Sequence, residues 1–171
     1  MRRTPAGVAA KVGIVMGSDS DLPVMREAAA ILEEFGVPYE ITVASAHRSP
    51  VRANRYAETA VARGLDVIIA GAGGAAHLAG VMAAGTTLPV IAVPLASSPL
   101  AGFDALLSSA QMPPGVPVAV MSVGPWGARN AGLLAVQIIA RRIPQLREAL
   151  AGHKKKMAAE VERKGRALLK E

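Results

Sequence analysis

Five short, almost continuous apolar runs separated by helix-length segments constrain this chain more than any other feature. They are Val12–Met16, Ile41–Ala44, Val67–Ala70, Val90–Val93 and Val118–Met121. Val67–Ala70 and Val90–Val93 show no polar alternation, which predicts strands covered on both faces, as a parallel sheet between helix layers requires. The segments between carry helical signals. Met25, Ala28, Ala29 and Leu32 fall at i, i+3, i+4 and i+7 behind a first-turn Pro23, and Gly36 and Pro38 close that helix. Ser49-Pro50 reads as an N-cap and first helical residue of a second helix running to Gly64. Further helices are predicted over about 75–84, 104–109 and 128–142. Five strands alternating with helices predict an α/β three-layer αβα sandwich, a doubly wound parallel sheet in the flavodoxin-like order 2-1-3-4-5. With no internal repeat or linker, residues 1–171 are expected to form a single domain with its core in 11–142.

Composition excludes several function classes. A chain of 171 residues can bury a full core without staples. Cysteine is absent, which removes disulfides, thiolate metal sites and a cysteine nucleophile, and suits a cytoplasmic protein. No apolar stretch reaches the roughly 18 residues of a membrane span. Arg2-Arg3 is followed by Thr4-Pro5-Ala6-Gly7 with no apolar signal core, so a soluble, unprocessed protein is expected. Of the net charge of +6, most lies in residues 144–171, where eight Lys or Arg face four acids. Lys154-Lys155-Lys156 in an amphipathic helix with few aromatics nearby reads as a solvated face, and no nucleic-acid partner is expected. Pro144–Lys170 is predicted to be one long helix, with Leu146, Leu150, Met157, Val161 and Leu168 spaced to face either a second subunit or its own domain.

In an open parallel sheet, ligands bind beyond the carboxyl ends of the strands, at the switch in strand order. The polar clusters fall there: Gly17-Ser18-Asp19-Ser20-Asp21, Ser45-Ala46-His47-Arg48-Ser49, Gly71-Ala72-Gly73-Gly74-Ala75-Ala76-His77-Leu78, and Pro94-Leu95-Ala96-Ser97-Ser98. In the order 2-1-3 the first three loops are neighbours. Each cluster has two readings. Gly17–Asp21 can bind an anion at a helix N-terminus, or Ser20 or Asp21 can simply cap that helix. The aspartates suit a ribose diol better than a phosphate. Arg48 can hold phosphate oxygens bidentately or be an ordinary surface charge. His77 can be a structural histidine or a base exchanging protons near neutral pH. His153, in the charged tail, is expected to face solvent. There is no HExxH motif, cysteine pair or third ligand for zinc, no G-x-S-x-G elbow, and too few aromatics to sandwich a flavin.

Together, Met16-Gly-Ser-Asp-Ser-Asp21, Ser45-Ala-His-Arg48, Gly71-Ala-Gly-Gly-Ala-Ala-His-Leu78 and Gln111-Met-Pro-Pro-Gly-Val-Pro117 resemble the PurE family of purine biosynthesis. The likeness covers about residues 11–142, and the glycine run ending in His77-Leu78 resembles the class I, bacterial and plant type, the N5-carboxyaminoimidazole ribonucleotide mutases. The resemblance implies an isomerase of de novo IMP biosynthesis. The alternatives are a carboxylase of aminoimidazole ribonucleotide using carbon dioxide directly, and a non-catalytic nucleotide-binding module. It further implies that Ser18 and Arg48 hold a 5'-phosphate, Asp21 the ribose hydroxyls, and Ser45 and His47 the base and carboxylate. Ala72, Gly73 and Gly74, followed by Leu78, would surround the migrating carboxyl group, and His77 would be the general acid/base. No metal or organic cofactor is implied. The family assembles as homo-octamers in which the C-terminal helix packs on a neighbour. Asp19, where many relatives have lysine, and Pro125-Trp126, where a smaller pair is usual, depart from family usage.

Overall fold

The structure, a computed structural model, describes residues 10–169; Arg2-Arg3 and Lys170 lie outside them. The strands are β1 (Val12–Met16), β2 (Tyr39–Val43), β3 (Val67–Gly73), β4 (Val90–Leu95) and β5 (Ala119–Val120). All pair in parallel in the order β2-β1-β3-β4-β5, as the sequence predicts. The helices are α1 (Leu22–Glu34), α2 (Pro50–Glu58), α3 (Leu78–Gly85), α4 (Phe103–Ala110), α5 (Pro125–Ala140) and α6 (Pro144–Leu168). β1 is buried along its whole length, and β3 is buried as far as Gly71, with one apolar layer on each side of the sheet. Ile14, Ile69 and Ile91 face α1 and α5, while Val15, Ile68 and Ala92 face α2 and α3. Burying such a side chain stabilises by about 1.5–3 kcal/mol, so the central strands anchor the loops that follow them.

Several boundaries differ from the sequence reading for physical reasons. β2 starts at Tyr39, because Glu40 takes a register position opposite Gly13 and directs its carboxylate to Lys11 and Arg63. α2 ends at Glu58 and the chain continues in turns to Gly64, whose φ of +75° favours glycine. α5 begins at Pro125, at the first helical position, three residues before the predicted start. β3 does not stop at Ala70 but runs through the first glycines, pairing Gly73 with Leu95.

α6 behaves as two halves. Leu146 is buried and Leu150 packs on the core layer under α1 and α5. His153 is not solvent-facing as expected: its ring lies 5.5 Å from that of Phe35, and its Nδ1 is 3.5 Å from Glu34. Beyond it, Met157, Val161 and Leu168 are exposed, Val161 at 70%. No helix among the described residues is long and apolar enough to cross a membrane.

Candidate active site

β3 and β4 outrun β1. The last β1 residue, Met16, pairs with Gly71, whereas β3 and β4 continue pairing to Gly73 and Leu95. The result is a ledge two residues deep, over which a cleft of about 420 Å³ opens at the carboxyl ends of the strands. Gly71 O accepts from Gly17 N–H, and residues two apart in a strand present their peptide groups to the same edge. Gly73 therefore points its N–H and C=O past the end of β1, toward the cleft. A side chain is excluded there, because a Cβ on Gly73 would come within 1.7 Å of Ser97 Oγ.

Asp21 takes the N-cap position of α1 but makes no side-chain capping bond there, and the turn between β1 and α1 is capped by Ser18. Its hydroxyl accepts from Ser20 N–H while Asp21 accepts from Ser18 N–H at 3.0 Å, a reciprocal capping box around a single 3-10 turn. Asp19, one of the departures, accepts from Ser20 N–H and from the Ser18 hydroxyl, so it serves the turn itself. Asp21 is only 8% exposed. Burial pushes its carboxyl above the ordinary value, Asp19 adds to this, and the Ser18 N–H and the Arg48 charge oppose it.

The loop after β2 closes on itself. Ser49 sits at the N-cap of α2, but its hydroxyl makes no capping bond to the helix. Instead it accepts from Ser45 N–H at 3.0 Å and donates to Ser45 O at 3.1 Å. Ser45 Oγ in turn accepts from Arg48 N–H. This fixes the backbone of Ser45–Ser49 and sends Arg48 across to Gly17 O, which Nη2 reaches at 2.9 Å. Arg48 forms no salt bridge among the described residues, so most of its fork of donors stays available.

After the ledge, Gly74 takes φ +59°, and two tight turns, Ala76 N–H to Gly74 O and His77 N–H to Ala75 O, delay the helix. α3 therefore begins at Leu78 rather than near Ala75, and His77 stands at its N-cap. That position brings His77 Nδ1 to 2.9 Å from His47 Nε2, with the rings edge to face. Two histidines thirty residues apart thus share one hydrogen bond at the cleft.

Of the residues singled out from sequence, Ser18, Asp21, Ser45, His47, Arg48, Ala72, Gly73, His77 and Leu78 all line this cleft. Gly74 does not, and acts as the turn that sets His77. Ser97 lines it too. The serine pair after β4 signalled a polar strand end, but nothing in its sequence context gives Ser97 a task. Among the described residues no group of three His, Asp or Glu is close enough to hold a metal ion.

Fold and cleft together place the chain among doubly wound α/β proteins with a ligand site at the strand-order switch. Residues 11–160 match the AIR carboxylase family, and the chain belongs to it. It is 58% identical over 157 residues to the N5-carboxyaminoimidazole ribonucleotide mutase of Pyrococcus horikoshii, covering 92% of this chain and 88% of that protein. To the mutase of Thermotoga maritima it is 54% identical, over 92% of this chain and 91% of the relative. The crystal structure of Treponema denticola PurE aligns with a TM-score of 0.80 at 27% identity, covering 90% of this chain and 95% of that one.

Proposed function

We propose that this chain is an N5-carboxyaminoimidazole ribonucleotide mutase, converting that nucleotide into 4-carboxy-5-aminoimidazole ribonucleotide in purine biosynthesis. The observation that carries the mechanistic reading is the His47–His77 hydrogen bond at the rim of a cleft floored by small residues. Arg48 and Ser18 hold the 5'-phosphate, Asp21 the ribose hydroxyls, and Ser45 the base. The carboxyl group travels over Ala72 and Gly73 beside Leu78, with Gly74 as the turn that brings His77 to them.

The paired imidazoles suit a reaction that needs a proton delivered and a proton removed. When both rings are neutral, one donates into the shared bond and the other accepts. In either tautomer, one outer nitrogen then carries a proton and the other a lone pair. The pair is an acid and a base at once. The acid, His77 in this reading, protonates N5 as the carbamate C–N bond breaks and carbon dioxide leaves. The electron-rich C4 then attacks the retained carbon dioxide, and the pair takes back the C4 proton. Protons and electrons balance over the cycle, and neither ATP nor a cofactor enters.

The exposed apolar stripe Met157, Val161 and Leu168 supports assembly into a homo-oligomer, an octamer in this reading, with the outer half of α6 against a neighbour. A solution mass equal to one chain refutes that assembly. The activity is tested by absorbance on purified protein. N5-carboxyaminoimidazole ribonucleotide should be converted at the same rate with and without added bicarbonate. Turnover of aminoimidazole ribonucleotide that depends on bicarbonate, with none of the carboxylated substrate, would instead identify a direct carboxylase.

A further inference from the structure

We infer that Ser97 is a substrate-contacting residue, whose hydroxyl donates to the carboxylate carried by the nucleotide and so distinguishes the carboxylated nucleotide from the bare one. The inference rests on the mutase reading above. It stands on three features of the fold.

The first is position across the sheet. The residues suited to phosphate and ribose, Ser18, Asp21 and Arg48, follow β1 and β2, while Ser97 follows β4, on the other side of β3. With strands spaced about 4.8 Å apart, Ser97 emerges two strands, or about 10 Å, from the end of β1. A nucleotide lying across the strand ends with its phosphate over β1 and β2 puts its base over the β3 ledge and a substituent of that base at β4.

The second is fixation. Ser97 Oγ occupies the space above Gly73 that a Cβ would fill, at 1.7 Å from that ideal position, and its own Cβ is at 2.9 Å. The hydroxyl lies against the backbone of the ledge on one side, and because Ser97 is exposed its other side is open to a ligand. Gly73 is the residue whose peptide groups face the cleft, so hydroxyl and peptide present hydrogen-bonding groups at one place.

The third is free valence. Every other serine hydroxyl or carboxylate of the cleft is tied into a local network: Ser18 to Ser20 and Asp19, Ser45 to Arg48 N–H, Asp21 to Ser18 N–H. Ser97 lines the cleft with no hydrogen bond among the described residues. A neutral donor with no partner is matched to a carboxylate, and donation to a charged acceptor is the stronger kind of hydrogen bond.

The test compares Ser97→Ala with the wild type on two ligands. Wild-type turnover of N5-carboxyaminoimidazole ribonucleotide must be seen first, and its absence refutes the mutase reading rather than the role of Ser97. Given turnover, Ser97→Ala should lower kcat/KM by about tenfold to a hundredfold, the range for a hydrogen bond to a charged group. Binding of aminoimidazole ribonucleotide, which lacks the carboxylate, should stay within twofold, as should the melting temperature within a degree or two. A kcat/KM within twofold of wild type overturns the inference. So does an equal loss on both ligands, which would place the hydroxyl on the shared part of the nucleotide or in the fold. A second variant guards against compensation by water. Gly73→Ala drives a Cβ into Ser97 Oγ, and its loss of kcat/KM should be smaller when introduced into Ser97→Ala than into the wild type. Fully additive losses overturn the inference as well.

Discussion

The two ends of this one sheet both carry an arginine and an aspartate among their polar groups and treat charge in opposite ways. At the amino end, charged side chains pair with each other. Lys11 Nζ lies 2.5 Å from Glu40, Arg63 lies 3.2 Å from the other oxygen of Glu40, and Arg142 pairs with Asp66, which also accepts from Lys11 N–H. Arg63 in addition stacks its guanidinium 4.4 Å above the Tyr56 ring. At the carboxyl end, Arg48 reaches only a backbone carbonyl, Asp21 accepts from a backbone N–H, and the two histidines hold one another. Charge paired with charge closes a structure. Charge held in place by backbone is oriented but keeps its capacity for a ligand, which identifies the working end without reference to any relative.

The comparison breaks first at the histidines. His77→Asn should lower kcat by about a hundredfold to ten-thousandfold, the usual contribution of a positioned acid or base, while nucleotide binding persists. A rate within tenfold of wild type removes His77 from the chemistry. Arg48→Ala comes next in size. Losing a charge-assisted contact to phosphate should weaken nucleotide binding by about 2–3 kcal/mol, with little change in unfolding free energy, because Arg48 bonds only one carbonyl of the fold. Calorimetric binding and denaturant unfolding separate the two, and a mainly stability-based loss would make Arg48 resemble the amino-end cations.

The smallest effect sharpens the contrast through pH. Burial pushes Glu40 upward, but the Lys11 hydrogen bond and the Arg63 charge outweigh it and hold its carboxyl below the ordinary value of 4.5. Its contribution is present above that value and lost as pH falls through the lower folded value. Asp21 is raised above its ordinary 3.8, so the folded state holds its proton more tightly and stability falls as pH rises through the shifted value. Stability curves across the acid range should therefore respond with opposite signs. Glu40→Gln removes a gain of about 1 kcal/mol or less at neutral pH, as partly exposed ion pairs contribute, and Asp21→Asn removes a penalty. Changes of the same sign in both variants would show that the two ends are electrostatically alike.

Much of this was legible in the sequence because the sheet is central and parallel. Buried strands must be apolar along their length, so Val12–Met16, Val67–Ala70 and Val90–Val93 announce themselves, and the doubly wound rule then brings their loops together. Where burial is partial, the signal weakens. β2 is an edge strand with Ile41 and Val43 partly exposed, so its start depends on the partners of Glu40 rather than on hydrophobicity. The glycines at 71 and 73 read as loop because glycine is a poor strand former, yet the pairing with β4 extends β3 through them. The contact between His47 and His77 depends on a three-residue delay in α3, set by turns at Gly74–His77 that no periodicity encodes. Ser97 was hidden for a related reason: its significance lies in what sits beneath it, and that residue is twenty-four positions earlier.

Gly73 carries a consequence for how this site can change over time. Its N–H and C=O face the cleft from the main chain, and every amino acid except proline supplies the same pair of groups. Substitutions elsewhere can retune the affinity contributed by Arg48, Asp21 or the histidines, but no change short of proline erases the peptide groups of the ledge. Drift at this position is confined instead to sterics, because any side chain meets Ser97. The floor of the cleft is thus chemically constant and geometrically intolerant, a fixed template against which the replaceable side chains around it are free to vary.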